Sequence, residues 1–92
     1  MNRLKPQRPD LETLADLCLS HLAEDPELLG AFMVETGYDP PALRKALGTN
    51  GLRAGLVDYF ARNEPMMLAL CTKQNLRPEN FMAVWHKLNR TM

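Results

Sequence analysis

The chain has 92 residues, with 11 Lys and Arg against 11 Asp and Glu, and 46% of its residues are hydrophobic. That length suits one domain with a single core, and the composition is globular rather than disordered usage. The longest apolar run, Met66 to Cys71, is far short of the roughly 20 residues that cross a bilayer, and the basic opening lacks the apolar stretch of a secretory signal, so a cytoplasmic location without membrane contact is expected.

Residues 1–9, with Pro6 and Pro9 among basic and polar side chains, are expected to form a flexible basic arm ahead of one helical domain over residues 10–90. Asp10 suits a helix N-cap, because its short carboxylate satisfies one of the first unpaired backbone N–H groups. Leu11, Leu14, Ala15, Cys18 and Leu22 then follow the helical period to about Glu24. Asp25-Pro26 opens a second helix, with Glu27 placed favourably against its N-terminal dipole and Leu29, Phe32 and Met33 facing inward.

Gly37 closes that helix, since glycine takes the left-handed C-cap conformation without strain on a Cβ. Tyr38 then acts as a staple, and Asp39-Pro40 opens a third helix. Leu43, Ala46 and Leu47 are expected inward and Arg44 and Lys45 outward, before Gly48 stops the helix. Thr49 or Asn50 caps a fourth helix carrying Leu52, Leu56, Val57, Tyr59 and Phe60. Its Gly51 and Gly55 lower helix propensity by about 1 kcal/mol each, a cost that close helix-to-helix approach would explain. Asn63-Glu64-Pro65 starts a fifth helix ending at Asn75, and Arg77-Pro78 a sixth with Phe81, Val84, Trp85 and Leu88 on one face. Residues 91 and 92 are expected to fray. The fold class predicted is an all-α compact bundle of about six short helices.

The corner Gly37-Tyr38-Asp39-Pro40 returns in design at Asn75-Leu76-Arg77-Pro78. Aligning Pro26 with Pro65 pairs Ala15–Phe32 with Ala54–Cys71 at a shift of 39, and one deletion later Gly37–Leu47 pairs with Asn75–Trp85. Two three-helix repeats, about 10–48 and about 49–90, are therefore expected. Charge is divided between them: residues 10–39 hold eight acids and no Lys or Arg, whereas residues 44–92 hold eight bases and three acids. Either the halves complement one another in the fold, or the division steers a partner.

No chemical motif emerges. Cys18, His21, Cys71 and His86 lack zinc-ligand spacing, and the two cysteines are expected to be free buried thiols. Glu24-Asp25-Pro26-Glu27 is helix-terminus chemistry rather than a catalytic carboxylate cluster, and no phosphate loop or nucleophile elbow is present, so no enzymatic activity, cofactor or metal is expected. The expected role is protein–protein interaction by a monomer or weak homodimer, through Gly37 and Tyr38 or through Met66 and Met67, whose run either leaves apolar surface exposed or belongs to a more deeply buried helix. The alternative is nucleic-acid association through the basic second half, although Phe81 and Trp85 sit on an apolar stripe rather than as stacking platforms.

The run Leu22-Ala23-Glu24-Asp25-Pro26-Glu27-Leu28-Leu29, then Phe32, Thr36-Gly37-Tyr38-Asp39-Pro40 and Leu43-Arg44, resembles the small helical family catalogued as domain of unknown function 3572. The resemblance implies a cytoplasmic protein, mostly of alphaproteobacteria, with no catalytic residues to carry over and a partner of the response-regulator type. A looser resemblance, over residues 28–62, is to the three-helix ubiquitin-associated domain, in which the loop matching Gly37-Tyr38 contacts the partner.

Overall fold

The computed structural model describes residues 9–90. The expected arm, apart from Pro9, and the last two residues lie outside the described residues. Six helices follow in order: α1 (Leu11–Ala23), α2 (Pro26–Thr36), α3 (Pro40–Ala46), α4 (Asn50–Ala61), α5 (Glu64–Gln74) and α6 (Pro78–Asn89). The Cα radius of gyration of 13.2 Å is that of a packed globule of this size rather than an extended helical array.

Local chemistry sets most boundaries. Asp10, Asp25 and Asp39 each accept a backbone N–H at the start of α1, α2 and α3, at 2.8, 3.1 and 2.9 Å. Thr49 Oγ1 accepts from Leu52 at 3.2 Å, which places the α4 cap on Thr49 rather than Asn50. Asn63 accepts from Met66 at 3.4 Å, whereas Arg77 supplies no side-chain cap to α6. Gly37 (φ 83°) and Asn75 (φ 55°) both take the left-handed conformation that ends α2 and α5.

The centre of the bundle is α1 packed along α4, with α2 on α1, α6 on α4, and α5 against α1, α4 and α6. Leu14, Cys18 and Leu22 from α1 meet Phe32 of α2, Leu56, Val57 and Phe60 of α4, Leu70 of α5 and Phe81 of α6 in one continuous core. Thus α2, α3 and α4 have no core of their own, and the grouping implied by the ubiquitin-associated resemblance is not the packing unit.

Three expectations are corrected. Leu47 is not inward: it is 49% exposed, and α3 buries no residue fully, touching the core only through half-buried Leu43 and Ala46. Close approach does not explain Gly51 and Gly55, because a Cβ on either would meet nothing within 4 Å. The register is also different. The expected pairings of Gly37 with Asn75 and Pro40 with Pro78 mark matching boundaries 38 positions apart, and the same spacing, rather than a shift of 39, extends back through Thr36 and Gln74 to Pro26 and Glu64. Burial recurs at the same spacing, in Leu14 and Leu52, Cys18 and Leu56, Leu22 and Phe60, and Phe32 and Leu70. A shift of 39 would instead pair buried Leu14 with half-exposed Arg53.

Candidate interaction surface

At the first corner, α2 turns into α3 through Gly37 and Tyr38. Tyr38 is half-buried and its ring stacks back on Phe32, centroids 6.2 Å apart and planes 20° apart. Phe32 itself is wholly buried and meets the Tyr59 ring edge-on at 5.0 Å, so the corner is anchored to α4 through aromatic contacts. Burial, and then the nearby Glu35 carboxylate, raise the Tyr59 hydroxyl above its ordinary value. Tyr38 therefore rests on Phe32 of the preceding helix, and the remainder of its ring meets solvent.

The outer face of α2 leading to this corner is exposed. Val34, one turn before Gly37, is 83% exposed, with Gly30 and Ala31 exposed on the preceding turn. Glu35 follows it in sequence and Asp39 stands at the corner, with Glu27 at the other end of the helix, and among the described residues none of these three forms an ion pair. The corner thus combines an exposed apolar side chain with the negative charge of Glu35 and of Asp39, the latter also accepting the Ala42 N–H as the α3 cap.

Met66 and Met67 do not provide the second expected surface. They are 9% and 5% exposed, because at helical pitch Met66, Met67, Leu70 and Cys71 face the core together while Leu68 and Ala69 point outward. Met67 Sδ accepts a 3.7 Å contact from the Cys71 thiol. The exposed apolar residue of that run is Leu68, at 40%. It borders a groove of about 350 Å³ between α5 and α6, lined also by Thr72, Asn75, Leu76, Arg77 and Pro78. Helical periodicity applied inside the run, rather than its length, is the signal that distinguishes Leu68 from the two methionines.

The charged halves meet in the fold. Arg53 reaches Glu12 at 3.7 Å, and Lys73 pairs with Glu24. Hydrogen bonding from Lys73, followed by its charge, lowers the Glu24 carboxyl below its ordinary value. On α4, Asp58 accepts from Trp85 Nε1 and from Arg62 Nε, each at 2.9 Å. The Trp85 indole N–H is thus committed to α4, and Phe81 is wholly buried and offers no face for base stacking.

Cys18 and Cys71 are both free and buried. Burial raises both thiols, with the second cysteine adding to the effect on Cys18, so the reactive thiolate is suppressed. His21 packs edge-on to Phe60 at 5.7 Å with Nδ1 buried and unbonded. His86 lies elsewhere, against Trp85 on α6.

Among the described residues, a six-helix bundle around one apolar core defines a small all-α domain. The chain belongs to the family described as protein of unknown function (DUF3572), whose model matches residues 8–91. No curated protein and no solved structure matches it. Among the described residues, no helix is long and apolar enough to cross a membrane.

Proposed function

We propose that this protein is a non-catalytic interaction module of two equivalent three-helix units, and that the corner formed by Val34, Glu35, Gly37, Tyr38 and Asp39 is its contact surface. The observation that carries this reading is Val34 at 83% exposure on the helix end that carries Glu35 and leads to Asp39, neither in an ion pair among the described residues, while the opposite face of the helix anchors the core through Phe32. Ordering Gly37 and Tyr38 in advance lowers the entropic cost of binding. Val34 offers apolar area, and the carboxylates select a basic or hydrogen-bond-donating counterpart. A response-regulator-type protein is one partner class this surface would suit.

Chemical cross-linking of the native protein in cell lysate, compared with Val34→Glu, tests the reading. Loss of specific adducts in the variant supports it, and an unchanged set of adducts contradicts it. The variant should fold normally, because Val34 makes little use of the core.

A further inference from the structure

The two corners share a backbone design and differ in charge. Gly37 and Asn75 take the same left-handed cap, and Pro40 and Pro78 start the following helices. At the intervening equivalent positions, Asp39 of the first corner is matched by Arg77 of the second, and one turn earlier Glu35 is matched by Lys73. The first corner also carries the protruding apolar residue, Val34, whereas the second carries the groove beside Leu76. We propose that the protein pairs with a second copy of itself, Val34 of one molecule entering the groove between α5 and α6 of the other, with Glu35 and Asp39 facing Arg77. This rests on the first corner being a contact surface and names its occupant.

Two first corners repel through Glu35 and Asp39, whereas Arg77 of the second corner, only loosely held by Glu79, attracts them, so charge favours the first-corner-to-second-corner contact. If two copies satisfy the contact reciprocally it is isologous and closes into a two-fold dimer; otherwise it is heterologous and extends or closes into a ring. Arg77 is free to turn toward a new carboxylate, because its 3.7 Å pair with Glu79 lies between side chains that are 65% and 69% exposed. One aliphatic side chain and a few rim charges make a small interface, so the association is weak and sensitive to salt.

The test is sedimentation equilibrium of the full chain from micromolar to millimolar concentration. The average mass should rise with concentration at low salt, and the rise should be suppressed in about 1 M salt, where screening acts within about 3 Å. Glu35→Lys and Arg77→Glu, both at exposed sites, should each weaken association about tenfold or more while circular dichroism is unchanged. Mixing the two variants should restore association, because the Glu35 side of one then meets the Arg77 side of the other. A wild-type mass that stays at one chain throughout, or variants that associate as wild type does, would overturn the pairing. Either result stands apart from the lysate comparison, which decides whether the first corner contacts any protein at all.

Discussion

The indole N–H of Trp85 donates a 2.9 Å hydrogen bond to Asp58 Oδ1 and so ties α6 to α4. Hydrogen bonds to charged groups contribute about 1.5–3 kcal/mol when shielded, but the Asp58 side chain is 40% exposed, so about 1 kcal/mol is expected here. Trp85→Phe should therefore lower Tm by about 4–8 °C in a domain of this size, as thermal circular dichroism would show. Burial on its own would raise the Asp58 carboxyl, but hydrogen bonds from Trp85 and Arg62, together with the Arg62 charge, outweigh it and hold the group below its ordinary value. This contribution is complete above the unfolded carboxylate value near 3.8 and is lost as pH falls through the lower folded value. Trp85→Phe should weaken that acid-limb dependence.

His21 titrates with the opposite chemistry but the same sign. Burial first, and then the Lys73 charge, lower its imidazole below 6.5, against partial opposition from Glu24 and Asp25. The folded state prefers the neutral ring, so this stabilisation is present above pH 6.5 and is lost as pH falls through the lower folded value. Urea midpoints measured across that window should decline toward acid in the wild type and decline less in His21→Leu.

Two glycine substitutions should differ in sign. Gly55→Ala, inside α4 with open space around the new Cβ, should stabilise by about 0.5–1 kcal/mol. Gly37→Ala, at φ 83°, should destabilise by about 1–2 kcal/mol because the left-handed backbone crowds a Cβ. Chemical denaturation of both variants checks the pair.

Substitutions on opposite faces of α2 should separate core from surface. Phe32→Ala removes a wholly buried ring and should cost about 3–5 kcal/mol, a large share of the about 5–15 kcal/mol available to a domain. Val34→Ala, on the exposed face, should stay within about 0.5 kcal/mol. Met66→Glu belongs with the first class, since it would bury a carboxylate in the core.

Much of the fold was legible because its stops and starts are local. Asp10, Asp25 and Asp39 cap helices through bonds two or three residues long, and Gly37 and Asn75 mark the closures. The repeat register was misleading because Pro26 stands at the first position of α2 and Pro65 at the second position of α5. Proline is tolerated at either, since those backbone N–H groups lack helical partners anyway. Aligning prolines therefore slipped the pairing by one residue, which burial of Leu22 and Phe60 restores. The position of Leu47 depended on how far α3 reaches into the bundle, a tertiary property absent from its own stripe. Of the candidate site, Gly37 and Tyr38 were visible through turn chemistry. Val34 lies off the Leu29, Phe32 and Met33 stripe, a signal of position rather than of contact, and the faces of the Met66–Cys71 run decide its two alternatives in favour of burial for Met66 and Met67.

The central claim is that the Val34 corner makes contact with protein, and with a second copy in the pairing described above. A photo-reactive residue placed at Val34 in the full chain tests it most directly, with Asp16, exposed on α1, as the control position. Irradiation-dependent adducts of two chains are expected from position 34, mapped by mass spectrometry to residues 68–78, with few from position 16. Single chains alone from position 34, or equal adducts from both positions, would contradict it.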